Sequence, residues 1–180
     1  MLKFYFDYST EVTNEIKKDF GNIAPELLNR KPSSESWSAG ECFEHLIKTN
    51  GLYFPVFEKL KLSLHNSDAN GNIHFKNSFI GKMIIKTVDP DQMKKYKSPK
   101  AFRLTVSNVR SDVISVFLKQ LEDLNKLIET FKNKNLAAYK ITSPASPLVR
   151  YNLGDCLMII AYHNRRHLKQ AKNAIGVLNR

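Results

Sequence analysis

The apolar positions of this chain recur mostly at spacings of three and four, the period that gathers side chains along one face of an α-helix. From Leu2 to Phe20, the residues Tyr8, Val12, Ile16 and Phe20 repeat every four positions, and Gly21 follows as a stop. The stretch from Ala24 to Asn29 predicts a single extra turn, because Pro25 suits a first helical position, and Lys31 to Glu35 reads as a loop. Ser38 and Glu41 stand three apart ahead of an apolar run, the capping-box arrangement in which each side chain satisfies the other's backbone N–H. They predict a second helix with the stripe Cys42, His45, Thr49, Leu52 and Val56. It should reach about Leu64 with a kink at Pro55, whose ring crowds the carbonyl of Gly51.

Residues 65 to 73 are rich in Asn, Ser, Asp and Gly and read as a surface loop, while the apolar segment from Phe75 to Val88 predicts a short helix. Asp89 to Arg103 holds Pro90 and Pro99 with several lysines and no period, so it predicts an irregular connection over the bundle, with the makings of a lid. The stripe Val113, Phe117, Leu121, Leu124, Ile128 and Phe131 predicts a third helix from about Asn108 to Lys132. A linker with Pro144 and Pro147 runs to Tyr151, where Asn152 can cap a fourth helix. Asp155 falls in its first turn, near the positive end of the helix dipole, and the helix should continue to Ala174 or beyond. Four long amphipathic helices without a set of alternating strands predict an all-α four-helix bundle. The connections at 65–107 and 133–151 leave room for crossovers, the segment before residue 89 supplies a short extra helix, and 180 residues make one domain, 1–180.

Composition narrows the function classes. Hydrophobic residues are 42% and charged ones 25%, the balance of a soluble globular protein rather than a disordered or fibrous one. No apolar run nears a membrane span, and the first residues lack a basic region followed by an apolar one, which reads as cytoplasmic with no membrane partner. Cys42 and Cys156 fall inside helical patterns and read as reduced core thiols. The net charge of +11 would attract nucleic acid or a small anion, yet the lysines are spread over every segment, the mark of a solvated basic surface. Nucleic acid is therefore not the expected partner; a small-molecule substrate is, and a homodimer is left open.

The fourth helix carries the chemistry. Its inward stripe reads Cys156, Ile160, His163, His167, Ala171 and Ile175, so two histidines stand where aliphatic residues would pack. Buried imidazoles need hydrogen bonds, and two of them one turn apart repel if both are protonated. A metal ion resolves both problems, because neutral imidazoles give it their lone pairs and the i, i+4 spacing lets two rings converge. His45 lies on the apolar stripe of the second helix, and a bundle brings inward faces of different helices to a shared ion. Three protein ligands leave a coordination position open, as in a working site, whereas structural zinc is usually closed by four. His65 and His74 fall in the loop region and read as solvated.

Two motifs carry a family resemblance. Trp37-Ser38-Ala39-Gly40-Glu41 followed by His45-Leu46 resembles the second-helix signature of the DinB-like (DinB/YfiT-like) superfamily, and His163-Asn-Arg-Arg-His167-Leu168-Lys169-Gln170 resembles its last-helix signature. Their order and long separation match, and the likeness spans essentially the whole chain. The resemblance implies a four-helix bundle with crossover connectivity and a three-histidine site for nickel, zinc or another divalent ion. Some relatives are transferases that use the low-molecular-weight thiols bacillithiol, mycothiol or glutathione, and others are described as metal-dependent hydrolases.

The leading expectation is thus a metal-dependent enzyme in which the ion, held by His45, His163 and His167, lowers the pKa of a bound thiol or water and presents it as nucleophile. A thiol-dependent S-transferase is favoured over a hydrolase. Glu41, one turn before His45, is a candidate base, although its capping role explains it as well. Gln170, one turn beyond His167, is a candidate support for the metal ligands; Arg165 and Arg166 are candidates to hold an anionic group, and Trp37 reads chiefly as a packing residue. The rivals are a non-enzymatic binding module that uses the basic surface, and a metal sensor or carrier.

Overall fold

A computed structural model describes residues 1–64, 75–92, 94, 98–104 and 108–178. The expected loop at 65–73 and the two histidines His65 and His74 lie outside the described residues. The architecture is all-α apart from one small hairpin. The elements are α1 (Leu2–Phe20), α2 (Pro25–Asn29), α3 (Ala39–Gly51), α4 (Phe54–Leu62), α5 (Phe79–Val88), a 3-10 turn (Lys100–Phe102), α6 (Val113–Glu129), β1 (Lys140–Thr142), β2 (Arg150–Asn152) and α7 (Leu153–Leu178). Both α7 and α6 pack on α1 and on α3, which sets α1 diagonal to α3 and α6 diagonal to α7 across the bundle. The chain therefore crosses the bundle between α1 and α3 and again between α6 and α7, with α5 laid along α7 as the extra helix.

Local chemistry explains most boundaries. Ser38 Oγ accepts from the Glu41 N–H at 3.1 Å and Glu41 Oε2 accepts from the Ser38 N–H at 2.8 Å, so the capping box starts α3 as the spacing predicts. The second helix is interrupted at Leu52–Tyr53 rather than kinked in one piece. Both residues keep right-handed dihedrals, but the Tyr53 N–H donates to Asn50 three residues back, and Pro55 enters the first turn of α4 where its missing N–H costs nothing. Along α1 the buried face is Tyr5, Ser9, Val12, Ile16 and Phe20, with Tyr8 at its half-buried edge. Ser78 caps α5 by accepting from the Gly81 N–H at 3.0 Å, which starts that helix four residues later than its apolar run.

The linker before α7 contains the antiparallel pair β1–β2, with Ile141 opposite Tyr151 and both side chains in the core. Strands of three residues are too short to show alternation in the sequence. Asn152 ends β2 and caps α7: its Oδ1 accepts from the Asp155 N–H at 2.8 Å.

Two apolar clusters fill the bundle. One gathers Tyr5, Phe57, Leu124, Phe131, Tyr151 and Leu157, and the other Val12, Phe43, Val113, Phe117 and Leu168. Polar pairs bridge the helices between them: Ser9 with the half-buried Asn125 between α1 and α6, and the buried Asn50 with Asn164 at 3.0 Å between α3 and α7. Such pairs specify how the helices align, since a shifted register would leave each amide unpaired in the core. Among the described residues no helix is long and apolar enough to cross a membrane, and both cysteines are buried free thiols.

Candidate metal centre

The site forms where α3 and α7 face one another beside this polar layer. Helical spacing stacks His163 and His167 on α7, and the α3 stripe brings His45 opposite them. The ring centroids are 5.1 Å apart for His45–His163, and 4.5 Å for both His45–His167 and His163–His167. One nitrogen from each ring lies within 4.8 Å of the others, close enough for one ion. Nε2 of His45 and Nε2 of His163 are 3.2 Å apart. Two nitrogens bound tetrahedrally to a zinc-sized ion at about 2.0–2.1 Å would stand about 3.3–3.4 Å from each other.

The protonation states fit the same reading. His45 Nδ1 lies 2.9 Å from the carbonyl of Phe102, so Nδ1–H donates there and Nε2 turns its lone pair inward. Burial pushes His45 down to about 4 and His163 down to about 3. His167 falls well below the ordinary imidazole range, first through burial and then through His163, His45 and Arg166. All three are neutral at pH 7. His167 Nδ1 is buried and makes no hydrogen bond. A divalent ion supplies what this arrangement lacks: a positive centre toward which neutral lone pairs converge, so the residues present fit a metal.

The neighbours take definite positions. Trp37 packs its ring 4.9 Å from that of His45 and stacks at 5.6 Å on His167, so it covers two of the three rings. Gln170 interacts with the His167 ring. Glu41 has both oxygens occupied, by the Ser38 N–H and by Lys31 Nζ at 2.8 Å. Arg165 pairs with Glu15 on α1. Arg166 donates to three backbone carbonyls, those of Asp89 at 3.1 Å, Gln92 at 2.7 Å and Lys94.

Two contributors escaped the sequence reading. Phe102 acts through its backbone carbonyl, which no side-chain pattern announces. Asn164, next to His163, is buried against Asn50 and could have been found as the histidines were, as a polar residue on the apolar stripe of Leu157, Ala161 and Leu168.

The family model described as the DinB superfamily matches residues 10–171, a span that takes in all three histidines. No curated protein and no solved structure matches the chain.

Proposed function

This chain belongs to the DinB superfamily, and from that premise we propose that it is a metal-dependent enzyme that transfers a thiol sulfur to a small electrophilic substrate. The carrying observation is the convergence of three neutral imidazoles, with the His45 and His163 Nε2 atoms 3.2 Å apart. His45, His163 and His167 would hold one nickel or zinc ion. When bound, a divalent ion supplies a Lewis acid that favours the deprotonated form of a thiol or water in its open coordination position.

The protein's own groups do the rest. Neutral ligands leave the full charge of the ion uncompensated, which strengthens its pull on an anionic sulfur. The Phe102 carbonyl holds His45 in the tautomer that faces the site, and Trp37 shields two rings from water. Transfer is favoured over hydrolysis because Glu41, the carboxylate one turn before His45 on α3, is engaged on both oxygens. A thiolate attacks without a general base, whereas activation of water profits from one. The cofactor would be a low-molecular-weight thiol.

Metal analysis of untagged protein tests the centre. The expected result is about one nickel or zinc ion per chain in wild type and none in His45→Ala, His163→Ala or His167→Ala. Loaded protein is then offered small electrophiles with bacillithiol, mycothiol, glutathione or no thiol. Turnover that needs a thiol supports transfer; turnover in water alone favours the hydrolase, and none with any thiol rejects the transferase reading.

A further inference from the structure

Among the described residues from Asp89 to Leu104 only Pro90 is buried, so this segment has little apolar anchorage. Side chains hold it by its backbone instead, and those side chains come from the helices that carry the histidines. At its start, Arg166 of α7 takes the carbonyls of Asp89, Gln92 and Lys94, and Lys169 takes that of Pro90 at 3.2 Å. At its end, His45 of α3 donates to the carbonyl of Phe102 and Lys48 to that of Arg103. The described residues of this strap are thus held at two places, 89–94 beside His167 on α7 and 102–103 on α3, the latter at His45 itself.

We propose that Arg166 is a positioning residue for the metal centre: it seats the strap so that the Phe102 carbonyl stays on His45 and the ion is retained. This rests on the metal-binding reading of the three histidines and assigns Arg166 a task other than holding a substrate anion. A planar guanidinium spreads five N–H donors over a fixed fork, and Arg166 uses two of its nitrogens to reach the three carbonyls, whereas an ammonium offers its donors from a single point on a flexible stem. Without it the first half of the strap loses its main polar hold. The Phe102 end is then held by His45 and Lys48 alone, and the three rings lose part of their preset orientation. Linkage is reciprocal, so an ion that fixes His45 must also strengthen its hold on the Phe102 carbonyl.

The test uses full-length protein loaded with zinc and challenged with a chromophoric chelator, with trypsin cleavage at Lys100 and Arg103 as a second readout. Direct partners of metal-bound histidines typically contribute about 10–100-fold in metal affinity; Arg166 acts one step further out, so Arg166→Ala should release zinc faster by up to about 10-fold. It should also be cut sooner in the strap, with Arg166→Lys in between. Zinc-free wild type should be cut faster than loaded wild type. Arg165→Ala, which breaks an ion pair to α1 instead, should match wild type in both readouts. Zinc release at the wild-type rate from Arg166→Ala overturns this proposal alone. Wild type that takes up neither zinc nor nickel overturns it together with the reading beneath it. If Arg166→Ala does not fold, Arg166→Lys carries the same comparison.

Discussion

Helix α7 buries two polar knots about two turns apart, and they are satisfied in opposite ways. At its first turn Asp155 is fully buried, and every contact to its carboxylate is a protein donor: Asn77 Nδ2 at 2.8 Å, Ser78 Oγ at 2.6 Å, the Ser78 N–H at 3.2 Å and the Asn152 N–H at 3.3 Å. At His163 and His167 the ring nitrogens face one another and His45, and His167 Nδ1 has no partner among the described residues. A buried acceptor answered by the chain is part of the scaffold; a set of acceptors aimed at one point is a request for a cation.

The sharpest way to break this contrast is to remove one member of each knot. His163→Ala should abolish stoichiometric metal binding, the largest effect expected, while leaving a folded helical protein. Asp155→Ala should do the reverse. It leaves the buried Asn152 N–H and the half-buried Ser78 N–H without their acceptor and unfastens α5 from α7. A loss on the order of 3 kcal/mol in denaturant unfolding follows from the usual penalty for orphaned buried donors. Metal content of the folded Asp155→Ala protein should stay at the wild-type ratio, and its loss would show that the knots are one unit.

Two glycines permit the Asp155 knot. A Cβ at Gly81 would stand 2.2 Å from the Asp155 carboxylate carbon, and one at Gly154 2.1 Å from the ring of Phe75 just ahead of α5, so this stretch and α7 pack closely at both glycines. Gly81→Ala should therefore cost about 1–3 kcal/mol, the usual range for overpacking, with the α5 contacts yielding first. Thermal unfolding of the variant, with metal content measured alongside, checks this.

The histidine knot sets a pH dependence of its own in metal-free protein. Burial depresses all three imidazoles, with His45 at about 4 and His163 at about 3, while the unfolded chain titrates near the ordinary value of 6.5. The unfolded state therefore binds more protons below that value, and stability falls as pH drops from about 6.5 toward 3. The loss should be smaller in His163→Ala, which removes one of the three groups. Equilibrium unfolding at pH 7.5 and pH 5 measures it; equal pH slopes in both proteins would contradict the buried, neutral assignment.

The same contrast explains what could be read in advance. The faces of α6 and α7 were legible because long runs repeat at helical spacing, and the histidines because polar residues interrupt an apolar stripe. Asp155 was legible only as a first-turn acid, since its donors Asn77 and Ser78 come from a segment nearly eighty residues away whose role depends on tertiary contact. The break at Tyr53 escaped because propensity does not separate a tightened turn from a kink, and the hairpin because its strands are shorter than one full alternation.

The smallest effect should come from Trp37, which is half-buried against the histidines. It is the only tryptophan, and its ring lies 4.9 Å from His45 and 5.6 Å from His167, so its fluorescence reports the centre directly. Nickel, an open-shell ion, should quench it on binding, while zinc should shift it only slightly. Trp37→Phe keeps an aromatic face against the imidazoles and removes no ligand, so metal affinity should change by less than about tenfold, below the usual cost of losing a hydrogen-bonded partner of a ligand. A tenfold or larger loss would mean that the scaffold around the histidines, and not the three lone pairs alone, holds the ion.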